Sequence, residues 1–488
     1  MRQTFVRVAA VSVAAMLALA GCTAGGGAGD STGNEASAPN YHSEGGNAER
    51  NPLDDPQSTF AVDIDTASYG YARRVLTDGN LPDPTMVRPE EFVNAFDQDY
   101  PEPRGDGFAV FTDGARPPAA HHAESDLRIM RVGLQTRSES DRRRPDATLT
   151  FVVDVSGSMA EPGRLDLVRD ALHTLVDRLR PSDSVAIVAF STKAKVLREM
   201  TRVSEREDLH TAIDRLRVDA STNLDAGLTL GYRVARDGFR EGTSNRVIVL
   251  SDGLANTGST NASAILRKVR EEAAKEIALL GVGVGSEYGD ALMEQLADGG
   301  DGFAVYVSDL DQARDVFVNR LPATLEVRAL DAKVQVTFDS RTVRDYKLIG
   351  YENRAVADQD FRNDDVDGGE VGPGHSVTAL YAVRLSEGAD LGAEVARARV
   401  RWLDPTTRSP SEASGVVTVS DLDHGFEAAA PRFTVDYVAA YLAESLRGGD
   451  TAIALDDLRR IGDRAAARTE DKDVRELADL VKRAAELN

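Results

Sequence analysis

Between residues 148 and 319 the chain alternates two patterns. Short apolar runs at 149–153, 185–190, 247–250 and 277–284 are closed by glycine or polar residues. Runs that short and that continuous predict buried parallel strands, because half-exposed strands alternate instead. Between them lie stretches whose apolar positions recur every three or four residues. Residues 164–180 place Val168, Ala171, Leu172, Leu175, Val176 and Leu179 on one face and stop at Pro181. Helices are also predicted at 209–216, at 224–236 with Asn223 as cap, at 262–275 and at 290–296. Strand–helix alternation predicts a parallel sheet covered on both faces, and such sheets bind ligands beyond the carboxyl ends of their strands.

The flanks differ. Before this region, strands are expected at 60–65, 108–111 and 127–134, and short helices at 66–76, capped by Thr66, and at 90–96. After it, alternating segments at 333–338, 376–385, 394–403 and 415–419 predict an antiparallel β domain, a sandwich with Trp402 in its core. Three amphipathic helices follow, at 437–446, 452–461 and 474–487. The fold class is therefore α/β, a doubly wound and mostly parallel sheet, with a flanking antiparallel β-sandwich and C-terminal helices. The expected division is a signal segment at 1–22, a flexible linker at 23–57, an N-terminal flanking region at 58–145, the α/β domain at 146–322, a β-rich domain at 323–425 and helices at 426–488. The similar strands on either side of the α/β domain suggest that they pair, making that domain an insertion in one sandwich.

Length and charge narrow the function. A chain of 488 residues exceeds one core, and its net charge of -23 opposes phosphate backbones, so no nucleic-acid partner is expected. The seven histidines show no zinc-motif spacing, and adjacent His121 and His122 read as surface residues. Arg2 and Arg7, the apolar stretch 8–20 and the small residues before Cys22 form a signal peptide, too short for a membrane span. Leu19-Ala20-Gly21-Cys22 resembles the bacterial lipobox. The resemblance implies cleavage before Cys22, a lipid on Cys22 and a chain held at a cell membrane, facing outside the cytoplasm. Residues 23–51, rich in Gly, Ala, Ser and Asn, read as a tether.

The candidate chemistry sits at the end of the first apolar run, in Asp154-Val155-Ser156-Gly157-Ser158. One carboxylate and two hydroxyls on a tight loop suit a hard cation such as Mg²⁺. With Thr222 in Ala220-Ser221-Thr222-Asn223 and Asp252 after the run 247–250, the arrangement resembles a von Willebrand factor A-type domain. The resemblance implies a metal-ion-dependent adhesion site. Asp154 and Asp252 would carry the charge, Ser156, Ser158 and Thr222 would supply hydroxyls, and Mg²⁺, or Mn²⁺ or Ca²⁺, would be the ion. Only two ligands are charged, so the ion stays electrophilic, and one position is left for a partner's Asp or Glu carboxylate. The stretches 60–69, 290–297, 348–354 and 374–381 extend the resemblance to bacterial lipoproteins that carry this domain between two flanking regions.

Other motifs carry less. Asp65-Thr66-Ala67-Ser68 has the wrong register for a second metal loop and reads as turn and capping chemistry. Asn363-Asp364-Asp365-Val366-Asp367-Gly368 begins like an EF-hand but has Gly374 where a bidentate Glu is needed. Gly281-Val282-Gly283-Val284-Gly285 lacks the dinucleotide spacing and reads as a close-packed strand end. Ser156 as a nucleophile lacks a nearby base, since His173 lies on a helix that leaves the site. A non-enzymatic binding protein is therefore expected ahead of a structural envelope component or a metal-dependent hydrolase.

Overall fold

A computed structural model describes residues 47–487 except 106, 122–124, 139–144, 163, 253–261, 285–290, 301, 303, 308–311, 314–315, 318–326, 365, 367, 406 and 449–452. The expected signal segment, Cys22, most of the expected linker and His122 lie outside the described residues.

The chain enters through β1 (Gln57–Ala61), α1 (Ala67–Thr77), α2 (Pro89–Asn94), β2 (Phe108–Ala115) and β3 (Leu127–Thr136). It then builds the α/β domain: β4 (Ala147–Asp154), α3 (Leu165–Arg178), β5 (Ser184–Phe190), β6 (Ala194–Arg202), α4 (Arg206–Ile213), α5 (Leu224–Asp237), β7 (Ser244–Ser251), α6 (Ala262–Ala273), β8 (Ala278–Val284), α7 (Ala291–Asp298) and β9 (Ala304–Val307). Six strands pair in the order β6-β5-β4-β7-β8-β9, and only the β5–β6 pairing is antiparallel. Adjacent residues of β4 feed opposite faces, as strand geometry requires. Phe151 and Val153 pack with Val168 and Leu172 of α3, whereas Val152 packs with Leu228 and Tyr232 of α5. Gly281 in β8 is a close-approach glycine, since a Cβ there would lie 2.7 Å from the Met293 side chain.

The remaining strands form two antiparallel sheets. β10 (Ala329–Phe338), β11 (Val343–Ile349), β12 (Gly369–Val371), β13 (Ser376–Leu385), β14 (Glu394–Leu403) and β15 (Pro410–Thr418) return from the α/β domain. One sheet runs β1-β10-β14-β15 and the other β11-β13-β3-β2. They enclose one core that includes Phe60, Val132, Val334, Tyr381 and Trp402. β3 and β13 pair over nine residues, from Ser376 opposite Gln135 to Arg384 opposite Leu127. Strands before and after the α/β domain therefore share one sheet, and that domain is an excursion from a single sandwich.

Helices α8 (Pro431–Leu446), α9 (Leu455–Thr469) and α10 (Lys472–Leu487) close a further core with α1 and α2. Their polar anchor is buried. Arg131 of β3 meets Asp436 of α8 at 2.8 Å and Asp113 at 2.7 Å, and Gln98 donates to Asp436 at 2.7 Å. Among the described residues no helix is long and apolar enough to cross a membrane.

Three local expectations fail. His121 is buried rather than on the surface, because its Nδ1 lies 2.7 Å from the Tyr437 hydroxyl and its ring meets Tyr441 edge-on. Thr66 occupies the N-cap of α1 but makes no side-chain capping bond. The linker composition of 47–57 does not keep it loose: the Asn47 amide donates to the Leu348 and Gly350 carbonyls, and Arg50 bridges to Tyr346. The turn at Asp65 does work as predicted, with Asp63 accepting from the Asp65 N–H at 2.9 Å. Asp65 also accepts from the Ala304 N–H at 3.0 Å and faces Arg354 at 3.3 Å. The amino ends of the parallel strands thus face the sandwich, and their carboxyl ends face away from it.

One buried acid sets a pH dependence. Glu90 of α2 is 1% exposed, and no side chain among the described residues hydrogen-bonds its carboxylate, which only the Tyr351 backbone reaches. Burial, then the charges of Glu352 and Asp63, push its pKa up to about 8. The folded state therefore holds a proton that the unfolded state releases near the ordinary Glu value. Stability falls as pH rises from that value to about 8, and is flat above it. Glu90→Gln keeps the neutral shape. It should leave stability near pH 5 almost unchanged and raise it at pH 9, on the order of 2 kcal/mol in urea unfolding.

Candidate metal centre

β4 sits between β5 and β7, so the chain leaves it toward one edge of the sheet and returns on its other side. That reversal opens a crevice at the carboxyl ends of β4 and β7. β4 ends on Asp154, and β7 ends on Ser251, one residue before Asp252.

The side chains form a continuous hydrogen-bonded run. Asp154 accepts from the Ser156 N–H at 2.8 Å and, through its other oxygen, from the Ser251 hydroxyl at 2.6 Å. The Ser156 and Ser158 hydroxyls lie 3.1 Å apart, and Ser158 donates to Asp252 at 2.8 Å. The other Asp252 oxygen accepts from Arg164 at 2.6 Å. Arg164 also donates to the Ser158 carbonyl at 3.1 Å and meets Glu161 at 2.6 Å.

The second loop is tied to the first through backbone. Val155 accepts from the Asp219 N–H at 2.6 Å, and Ala220 accepts from the Gly157 N–H at 2.7 Å. This contact explains the glycine, since a Cβ at Gly157 would lie 3.3 Å from the Ala220 oxygen. Thr222, 4% exposed, follows on that loop. Asn223 anchors it by donating its N–H to the Ser191 carbonyl at 2.9 Å and caps α5 by accepting from Ala226 at 3.0 Å. Asp154, Ser156, Ser158 and Asp252 are thus joined directly, and Thr222 is held on the adjoining loop. Asp154, Ser156, Thr222 and Asp252 are buried, while Gly157 and Ser158 are exposed, so the cluster has one outward side.

The donor set fits a hard cation. Among the described residues no three His, Cys, Asp or Glu side chains converge on a metal position, so two carboxylates and three hydroxyls would have to hold it. Burial pushes the Asp154 carboxyl up to about 6, opposed by its bonds from Ser251 and Ser156 and reinforced by the charge of Asp252. A bound cation would supply the positive charge that this buried carboxyl lacks. A nucleophilic role for Ser156 finds no base in His173, whose ring faces His210 instead. The EF-hand-like stretch is otherwise engaged, because the Asn363 carbonyl accepts from Lys333 at 2.6 Å and Asp364 pairs with Arg401 at 2.7 Å.

Two residues at the centre lie outside the motif, Ser251 and Arg164. Ser251 had a weak signal, as a hydroxyl at a strand end beside Asp252. Arg164 had none, because nothing in the spacing tells which cation closes on which carboxylate.

Residues 148–319 match the von Willebrand factor type A domain, which contains all three loops. Residues 35–125 match a segment described as von Willebrand factor, and residues 323–487 match the C-terminal region of the uncharacterized protein YfbK. Across 397 residues the chain is 31% identical to YfbK of Escherichia coli (strain K12), over 73% of this chain and 68% of that protein. The chain belongs to the YfbK family. Beyond that family, it is 28% identical over 196 residues to the uncharacterized protein sll0103 of Synechocystis, covering 40% of this chain and 46% of that one. It is 28% identical over 165 residues to human inter-alpha-trypsin inhibitor heavy chain H4, covering 32% of this chain and 18% of that one. The chain spans less than half of the length of either of these two. A solved von Willebrand factor type A protein from Catenulispora acidiphila superposes with a TM-score of 0.48 at 18% identity, covering 75% of this chain and 89% of that one.

Proposed function

We propose that this protein captures a protein ligand through a divalent ion, Mg²⁺ or else Mn²⁺ or Ca²⁺, held by Asp154, Ser156, Ser158, Thr222 and Asp252. Von Willebrand factor type A domains commonly mediate protein–protein interaction. The observation that carries the reading is the hydrogen-bonded run from Asp154 through Ser156 and Ser158 to Asp252, with Ser158 exposed at its outer side. Oxygens already gathered within hydrogen-bonding reach of one another need little rearrangement to face one cation.

The ion, when bound, supplies an electrophilic position for an outside carboxylate. The protein's own residues do the rest. Ser251 and the Ser156 N–H orient Asp154, Arg164 orients Asp252, and the backbone bonds at Gly157 and Asp219 lock the Thr222 loop to the first. An Asp or Glu of the ligand completes the coordination, so affinity depends on both the ion and that acid. The placement of the site at the sheet end away from the sandwich leaves room for a macromolecular ligand. A lipid on Cys22 would hold the chain on a cell membrane, outside the cytoplasm, with the residues before Asn47 as tether.

Residues 47–488, immobilised and exposed to envelope proteins with and without Mg²⁺, test this reading. Ligands should be retained with Mg²⁺ and released by chelator. Retention unchanged in excess chelator would overturn it.

A further inference from the structure

Away from the three loops, two helices of the α/β domain present the same five-residue pattern to each other. α3 carries His173-Thr174-Leu175-Val176-Asp177, and α4 carries His210-Thr211-Ala212-Ile213 with Asp214 as its C-cap. His and Asp four apart share one helix face. The two faces meet reciprocally. The ring planes lie 23° from parallel with centroids 4.9 Å apart, and the Nδ1 atoms lie 2.7 Å apart, so the rings meet edge to edge. His173 Nε2 lies 3.3 Å from Asp214, and His210 Nε2 lies 3.2 Å from Asp177. Each ring thus points one nitrogen at the other ring and the second at a carboxylate on the opposite helix.

The carboxylates settle the tautomers. A carboxylate accepts, so each Nε2 carries hydrogen and each neutral ring is left with its lone pair at Nδ1. Two lone pairs then face across 2.7 Å, which is repulsive unless an electrophile lies between them. An imidazole whose other nitrogen donates to a carboxylate is the arrangement that orients metal-bound histidine. Imidazole nitrogen prefers borderline ions of the Zn²⁺ type to Mg²⁺.

We propose that His173 and His210 bind one Zn²⁺ through their Nδ1 atoms, with Asp177 and Asp214 orienting the rings and water completing the coordination. Zn–N bonds of about 2.0–2.1 Å in a tetrahedral array set two nitrogens about 3.3 Å apart with their lone pairs converging at about 109°, so the rings need to part by about half an ångström and to tilt out of their head-on alignment. Both rings are partly exposed, and the two carboxylates more so, leaving an entry path and room for water. Two protein ligands make this a weaker site than the four-ligand structural ones. The ion would staple α3, which follows the Asp154 loop, to α4, which precedes the Thr222 loop. It would thereby stiffen the support of both loops without touching them.

The test is calorimetric titration of Zn²⁺ into the full chain, carrying no polyhistidine tag, with Mg²⁺ in excess throughout. One equivalent should bind in the wild type and in Asp154→Ala, and Zn²⁺ should raise the Tm of both. His173→Gln and His210→Gln, which keep bulk at the helix contact, should each abolish binding and the Tm rise. Asp177→Asn and Asp214→Asn should each weaken binding by about tenfold. Absence of Zn²⁺ binding in the wild type would overturn the proposal and leave a shared proton between the rings. Binding that survives in both His variants, or that is lost in Asp154→Ala, would overturn it as well.

Discussion

Asp154→Ala should abolish Mg²⁺-dependent ligand capture and the Mg²⁺-dependent rise in Tm, while the chain still folds. Asp154 is one of only two carboxylates in the donor set, and it lies at the inner end of the run of oxygens. Mg²⁺ binds protein through one or two carboxylates, so the loss removes a large part of the attraction. The expected fall in Mg²⁺ affinity is about a hundredfold or more, roughly 2.7 kcal/mol. The cost to the fold is smaller. Burial already pushes this carboxyl up to about 6, so ionising it opposes stability in the absence of a cation. Its removal leaves the Ser156 N–H and the Ser251 hydroxyl without their acceptor, at about 1–3 kcal/mol for a buried group. Circular dichroism should therefore stay native while calorimetry with Mg²⁺ goes flat. Wild-type Mg²⁺ affinity in this variant would contradict the assignment.

Arg164→Met should produce the converse result, a large loss of stability that Mg²⁺ partly repairs. Arg164 is buried, and its contact with Asp252 joins two side chains that are 4% and 2% exposed. Removing one partner of such a pair leaves a buried charge uncompensated, which costs about 3–5 kcal/mol. The methionine fills the space of the stem but not the charge. A cation held by Asp154 and Asp252 would supply part of what the guanidinium did. Urea unfolding should show the full loss in chelator and a clearly smaller one in Mg²⁺. An equal loss in both would mean that no cation approaches Asp252.

Much of the architecture was legible because burial wrote it into the chain. Strands of the central sheet are enclosed on both faces, so β4, β5, β7 and β8 read as unbroken apolar runs. β13 and β14 alternate strongly enough that their expected limits, 376–385 and 394–403, are the observed ones. β6 is not legible in the sequence because it is an antiparallel edge whose Lys195, Arg198, Glu199 and Arg202 hide the pattern. β11 is masked in the same way by Arg344, Asp345 and Lys347. His121 could not be placed because what buries it, Tyr437, lies 316 residues away. The anchoring of Asn47 is hidden for a related reason, since a Gly- and Asn-rich composition does not reveal carbonyl partners near residue 350.

The candidate centre divides along the same line. Its three loops follow apolar strands or precede a capped helix, so their residues could be picked out one by one. The bonds among them could not. That Ser251 takes the second oxygen of Asp154, and that Arg164 claims Asp252, depends on which strand ends lie side by side. The pairing of His173 with His210 is hidden likewise, because the two helices meet only after β5 and β6 have been laid down between them.

Water-proton relaxation during titration of Mn²⁺, a paramagnetic stand-in for Mg²⁺, tests the central claim most directly. It registers both the ion and any coordination position still open to solvent. Residues 47–488 should show enhancement that saturates at one Mn²⁺ per chain, falls when Mg²⁺ competes, and disappears in the Asp154→Ala, Asp252→Ala double variant. No enhancement in the wild type, or the same enhancement in the double variant, would contradict an ion held by these loops with a position facing outward.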